Sequence, residues 1–159
     1  AEKDAAMSSG VIARTILLDQ MVGAFLEGHS DATVVNIACG LDTRVYRLDN
    51  GQVRWYNLDL PEVIDIRRRF LNEHGRISMI AKSAMDESWA AEIEDPTGEV
   101  LVVIEGLVMY LTEADVKKIL SIICSRFEHA EIIMEIMNPF IITLDVCYLN
   151  VLMIYLRRI

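Results

Sequence analysis

The sequence is poor in the residues from which disulfide frameworks, metal centres and phosphate-binding loops are built. Its 159 residues include only three cysteines, three prolines and three histidines. Cys39, Cys124 and Cys147 are widely spaced, which excludes the dense pairing of a small secreted scaffold and fits a reducing cytoplasm. His29, His74 and His129 are equally isolated, and no His or Cys set has metal-ligand spacing. Positive charge is scarce too. Fifteen Lys and Arg face 24 Asp and Glu, for a net charge of −9. A general nucleic-acid surface needs clustered cations. The one basic run, Arg67-Arg68-Arg69, lies in a helical pattern and reads as a solvated face. The only long apolar stretch, Phe140 to Leu156, carries Asp145 and Asn150, so it reads as buried core rather than a membrane span. The start has no secretory pattern, and no repeat or low-complexity tract is evident.

What is present suits one α/β domain. The hydrophobic fraction of 53% is high, and the length supports a substantial core. A first helix is expected from about Ser9 to Leu26, with Val11, Ile12, Thr15, Leu18, Val22 and Phe25 on one face and Gly28 as its stop. Strands are expected at about 33–37, 54–58, 77–80, 100–104 and 131–137. Between them fall a short helical turn after Asp42-Thr43, a helix from Pro61 to about His74 with Gly75 as its stop, a helix at 86–93, a turn over Asp95-Pro96-Thr97-Gly98, and a helix capped by Thr112 with Asp115. Val100 to Ile104 is nearly all apolar, as a parallel strand buried on both faces should be. Alternating strands and helices predict a doubly wound, Rossmann-like sheet with helices on both faces. The chain then divides into an N-terminal helical region (1–30), a core (31–138) and an apolar segment (139–159) that fits neither period.

Val34-Val35-Asn36-Ile37-Ala38-Cys39-Gly40-Leu41-Asp42 carries the functional signal. A buried strand runs into a small-residue turn, which lets backbone approach a ligand at the strand's carboxyl end. Asp59 follows 19 positions after Gly40, at the end of the next apolar run. A carboxylate there can accept hydrogen bonds from both hydroxyls of an adenosine ribose. A dinucleotide turn needs three glycines to seat a pyrophosphate, whereas here there is one, and Asp42 would repel phosphate. The turn therefore suits a phosphate-free nucleoside cofactor such as S-adenosylmethionine. The alternative is an ordinary strand-to-helix turn, with Asp59 capping the helix that begins at Pro61. Glu105, where the fourth strand ends, either contacts the ligand or orders its loop.

Three blocks resemble the leucine carboxyl methyltransferase family, which includes the tetracenomycin-type polyketide O-methyltransferases. They are Val34 to Leu48, Trp55-Tyr56-Asn57-Leu58-Asp59-Leu60-Pro61-Glu62-Val63-Ile64, and Ile104-Glu105-Gly106-Leu107-Val108-Met109-Tyr110-Leu111-Thr112. Ala13-Arg14-Thr15 with Leu18-Asp19 is similar to the family's N-terminal arginine helix. The resemblance implies an S-adenosylmethionine-dependent O-methyltransferase acting on a small-molecule acceptor, without nucleic acid, membrane or metal. It assigns Arg14 to the cofactor's carboxylate, Gly40 and Ala38 to its methionine portion, Leu60, Ser83 and Ala84 to the adenine side, and Glu105 to its ammonium group. Tyr110 lines the pocket or packs in the core. Ala38 stands where the family often has glycine, and φ below zero would accommodate its methyl. Ser83 stands where many members have aspartate. Asp42 and Thr43 are expected to order the loop, with Thr43 capping a helix, and Arg44 either pairs with Asp42 or faces the site. Trp89, Met79, Met85, Met109, Met134 and Met137 read as core. The family's chains are longer, so the region that covers the acceptor is expected to lie outside this sequence or across missing loops. With no His near the strand-end motifs, the expected acceptor is a carboxylate, already ionised at neutral pH. A nicotinamide oxidoreductase and a non-catalytic cofactor-binding domain are the alternative functions.

Overall fold

The computed structural model describes residues 2–95, 97–137 and 151–157. Five strands run parallel: Thr33–Ile37 (β1), Arg54–Asp59 (β2), Ile77–Ala81 (β3), Glu99–Ile104 (β4) and His129–Met137 (β5). Val151–Arg157 (β6) pairs antiparallel with β5, and the order across the sheet is β3-β2-β1-β4-β5-β6. Leu58 and Ile104 flank Ile37, so the carboxyl ends of the three central strands are level. The chain steps outward from β1 to β3, then returns to add β4 on the other side of β1. That reversal opens a crevice at the carboxyl ends of β1 and β4, where ligands of such sheets bind.

Among the described residues four α-helices accompany the sheet: Glu2–Gly28 (α1), Arg44–Leu48 (α2), Pro61–Phe70 (α3) and Glu113–Arg126 (α4). On one face, Leu18, Val22, Phe25 and Leu26 of α1 and Val45 of α2 pack on Val34, Trp55, Leu101, Val103 and Ile133. On the other, Ile119, Ile122 and Ile123 of α4, together with Trp89, cover Val35, Leu58, Val102 and Ile132. Period-two alternation along each strand divides its side chains between these two cores. The doubly wound expectation therefore holds. Thr112 and Asp115 form a reciprocal capping box that starts α4. Glu87–Glu92 is a 3-10 turn rather than an α-helix, with Asp86 accepting from the Ser88 N–H.

Four expectations need correction. The first helix starts at Glu2, and its apolar face is not buried throughout: Val11 and Ile12 are exposed, as are Ile16 and Leu17. At 1.5 Å per residue α1 is about 40 Å long, roughly twice the length of a five-residue strand. Its second half covers the sheet, and its first half overhangs the sheet's carboxyl edge. Second, α3 ends at Phe70 instead of His74. The cause is Glu73, which is buried against Arg67. A separation of six residues is not a contact a helix can make, so the chain must leave the helix for Glu73 to turn back. Third, Arg67 is not part of a solvated face; it is fully buried, while Arg68 is exposed. Fourth, the unplaced apolar segment contributes β6. Residues 139–150, 158 and 159 of that segment, with Cys147, lie outside the described residues, as do residue 138, Pro96 of the expected turn and the side chain of Met137.

Trp89 is fully buried and Met134 is core, as expected. Met85 packs against the core from its edge. Among the described residues no helix is long and apolar enough to cross a membrane.

Candidate functional site

The turn after β1 is a compact knot of backbone hydrogen bonds. The Cys39 N–H donates to Leu58 O and the Asp42 N–H to Cys39 O. The Gly40 N–H donates to Asp59 Oδ2 at 2.8 Å, and the Arg44 N–H to Asp42 Oδ1 at 2.9 Å. Ala38 and Gly40 both adopt left-handed backbone, with φ of 56° and 49°. For Gly40 this costs little. For Ala38 it contradicts the expectation of a negative φ, and the methyl is carried at a strain of about 1–2 kcal/mol. Thr43 occupies the cap position of α2, but its hydroxyl accepts from Arg47 Nη1 and makes no capping bond. Asp42 performs that task instead.

Beneath and beside this turn runs a line of charged groups. Arg67 donates from Nη1 to Gly40 O at 2.9 Å, from Nη2 to Asp42 O at 2.7 Å, and from Nε to Glu73 Oε1 at 3.0 Å. Glu73 also accepts from Asn57 Nδ2, and Asn36 Nδ2 donates to Asp42 Oδ2. Arg44, 1% exposed, spreads its guanidinium over three carboxylates: Asp19 Oδ1 at 2.8 Å, Asp42 Oδ2 at 2.7 Å and Glu105 Oε2 at 3.0 Å. Asp42 is thus paired with Arg44, which answers the alternative left open by the sequence. Arg14 Nε lies 2.8 Å from Glu105 Oε1, and its Nη1 donates to Glu135 Oε1 at 3.1 Å. Glu135 Oε2 accepts from the Gly106 N–H at 2.7 Å. One network therefore spans the carboxyl ends of β2, β1, β4 and β5. Burial alone would raise the Asp19 carboxyl, but the hydrogen bonds and charges of Arg47 and Arg44 outweigh it and hold that carboxyl below its ordinary value. Burial pushes the Cys39 thiol up to about 12, so it is inert as a nucleophile at neutral pH.

Arg14, Thr15, Asn36, Ala38, Cys39, Asp42, Arg44, Glu105 and Gly106 line a crevice of about 300 Å³. It lies at the β1/β4 reversal. The structure brings Arg14, Ala38 and Glu105 together here, with Gly40 in the adjoining turn. Asp59, Leu60, Ser83 and Ala84 continue along the same edge of the sheet beside β1 and are not in the lining. Asp59 Oδ1 accepts from the Leu60 N–H at 2.8 Å, but Leu60 is the cap residue of α3 and no side chain caps that helix, so the carboxylate anchors Gly40 and Leu60 and is not the helix cap the sequence offered as an alternative. A carboxylate offers about four lone-pair sites, and these two bonds leave the others available. The Ser83 hydroxyl accepts from the Met85 N–H, and Ala84 O accepts from the Trp89 indole N–H. Tyr110 neither lines the crevice nor packs in the core; it is 82% exposed. All three histidines lie at the opposite edge of the sheet: His29 just before β1, His74 just before β3, and His129 as the first residue of β5.

Arg67, Glu73 and Glu135 were missed by sequence reasoning. Ile64 and Arg67 share a helix face at three-residue spacing, which was the available signal for Arg67. Glu135, a charge near the carboxyl end of an otherwise apolar strand, was the comparable signal in β5. For Glu73 the sequence offers none.

The fold and the position of the crevice define a Rossmann-like, doubly wound α/β domain with a ligand crevice at its switch point. A protein of Thermobifida fusca YX, described only provisionally as a methyltransferase, superposes with a TM-score of 0.69 at 17% identity, over 84% of this chain and 55% of that one. At that identity the likeness concerns the fold. Sequence similarity goes further. The family model of leucine carboxyl methyltransferase matches residues 1–124, and the chain belongs to that family. It is 41% identical over 104 residues to the tetracenomycin polyketide synthesis O-methyltransferase TcmP of Streptomyces glaucescens, covering 65% of this chain and 38% of that protein. It is 34% identical over 137 residues to the S-adenosyl-L-methionine-dependent methyltransferase dpfgK of Gibberella zeae, covering 81% and 46%. The chain thus spans less than half the length of both curated relatives.

Proposed function

We propose that the chain forms the cofactor half of an S-adenosylmethionine-dependent O-methyltransferase acting on a small molecule. The observation that carries this reading is the turn after β1. The turn withholds the donors a dinucleotide needs, because the N–H groups of Cys39, Gly40, Asp42 and Arg44 are already bonded within the protein. Among the charged groups that line the crevice, Asp42 and Glu105 are balanced by Arg14 and Arg44, so the lining presents no excess of cations to hold a pyrophosphate.

The residues present fit the cofactor. Arg14 and Glu105 form an ion pair, and an ion pair is the complement of an α-amino-acid zwitterion. Arg14 then holds the carboxylate and Glu105 the ammonium group. Arg14 Nε stands 2.8 Å from Glu105 Oε1, so the two charges are already set side by side. Asp59 takes the ribose hydroxyls on its remaining lone pairs. Ala38 and Gly40 bring backbone to the methionine portion, and Leu60, 44% exposed, offers an apolar surface to the adenine beside Ser83 and Ala84. Bound S-adenosylmethionine supplies an electrophilic methyl group. The protein's contribution is alignment of that group with an acceptor and exclusion of water.

A carboxylate is the favoured acceptor oxygen, because the three histidines sit at the far edge of the sheet and a carboxylate needs no proton removed. A second reading is a neutral hydroxyl whose proton passes to a base supplied from elsewhere, favoured because the lining cations Arg14 and Arg44 are already paired with carboxylates and present no free charge to an acidic acceptor. Transfer of a labelled methyl group to candidate acids and phenols separates them. A product that releases labelled methanol in mild alkali is an ester and supports the first reading; an alkali-stable product is an ether and supports the second. No methyl transfer to any oxygen acceptor rejects both.

A further inference from the structure

We propose that Glu135 is a positioning residue for both groups that grip the amino-acid end of the cofactor, an inference that rests on the function proposed above. Glu135 is 3% exposed, near the carboxyl end of β5. Its two oxygens are divided between two elements of the site. Oε1 accepts from Arg14 Nη1 at 3.1 Å, and Oε2 accepts from the Gly106 N–H at 2.7 Å.

Each bond fixes one partner of the Arg14–Glu105 pair. Arg14 sits on α1 at the start of its overhanging half, where the apolar neighbours Val11 and Ile12 are exposed and give the helix little anchorage. The bond to β5 ties the guanidinium to the sheet. Gly106 follows Glu105 and takes left-handed backbone with φ of 66°. Holding its N–H fixes the direction in which the chain leaves β4, and with it the direction of the Glu105 side chain. Glu135 is buried and is not among the residues that line the crevice, so it does not contact the ligand itself. Its effect passes through Arg14 and Glu105. Glutamine at this position keeps the volume but loses the charge, and its amide presents a donor where one of the two N–H groups needs an acceptor.

The test compares wild type with Glu135→Gln by calorimetry, using S-adenosylmethionine and 5′-methylthioadenosine, which lacks the amino-acid portion. Glu135→Gln should weaken S-adenosylmethionine by tenfold or more and methylthioadenosine by less than twofold. Equal losses for both ligands, or no loss for either, overturn the positioning role. A second readout is the pair of Arg14→Ala and Arg14→Ala/Glu135→Gln. The double variant should bind S-adenosylmethionine less tightly than Arg14→Ala, because the arm through Gly106 to Glu105 is still lost, but by a smaller factor than Glu135→Gln weakens wild type. Fully multiplicative losses overturn the proposal. Wild type that does not bind S-adenosylmethionine at all overturns the functional reading itself, and with it this inference.

Discussion

Removing the Asp59 carboxylate separates its two roles. In Asp59→Ala the Gly40 and Leu60 N–H groups each lose an acceptor at 2.8 Å. Both bonds are charge-assisted, but the site is half-open, so water replaces much of each, and about 1 kcal/mol per bond is the appropriate scale. The loss of about 2 kcal/mol lowers the melting temperature by roughly 4–8 °C for a chain of this size. The ligand term is additional. Two ribose hydroxyls facing an ionised acceptor contribute about 1.5–3 kcal/mol, or roughly 10- to 150-fold in affinity. Asp59→Asn keeps one acceptor oxygen and should fall between wild type and alanine in both measurements. Differential scanning calorimetry gives the first quantity. Titration with S-adenosylmethionine well below the melting temperature gives the second. If Asp59→Ala melts early yet the folded protein binds with unchanged affinity, Asp59 is a loop anchor only.

Arg14→Ala should lose about 1.5–3 kcal/mol of binding to S-adenosylmethionine but little to its decarboxylated analogue, by calorimetry; equal losses reject Arg14 as the carboxylate's partner. Ala38→Gly relieves left-handed backbone and should raise stability by about 0.5–1 kcal/mol in denaturant titration, the residual after the glycine's own entropy cost. Arg67→Met leaves Glu73 buried and unpaired and should cost about 3–5 kcal/mol, whereas Arg67→Met/Glu73→Leu should recover part of that loss. The Asp19 carboxyl lies below its ordinary value of 3.8 in the fold. A depressed carboxylate contributes stability that is present above that ordinary value and lost as pH falls through the folded one. Acid titration of Asp19→Asn should therefore show a shallower loss of stability below about pH 4 than wild type does.

The fold was legible wherever one physical signal dominated. Val34 to Ile37 is an apolar run broken only by Asn36, and the expected strand boundaries of 33–37 came out unchanged. Thr112 and Asp115 marked the start of α4 because a capping box needs only a three-residue spacing. Gly40 and Asp59 were legible as a motif, although the hydrogen bond that joins them was not. What stayed hidden depends on contacts between distant segments. Three consecutive arginines on a helix point in three directions about 100° apart, and periodicity alone does not say which points inward. Arg67 is fixed by Glu73, Gly40 O and Asp42 O, and only the fold brings these together. Arg44 and Glu135 are similar: each satisfies groups on two or more separate elements. The site was thus readable where a ligand contact is local to a strand end, and unreadable where a buried charge holds several strand ends in place.

The most direct test of the account is paired calorimetry of the purified chain with S-adenosylmethionine and with NAD under identical conditions. The internally bonded turn at Ala38 to Asp42, with no cation to spare in the lining, predicts saturable binding of S-adenosylmethionine and much weaker or no binding of NAD. Tighter binding of NAD would contradict the account at its centre.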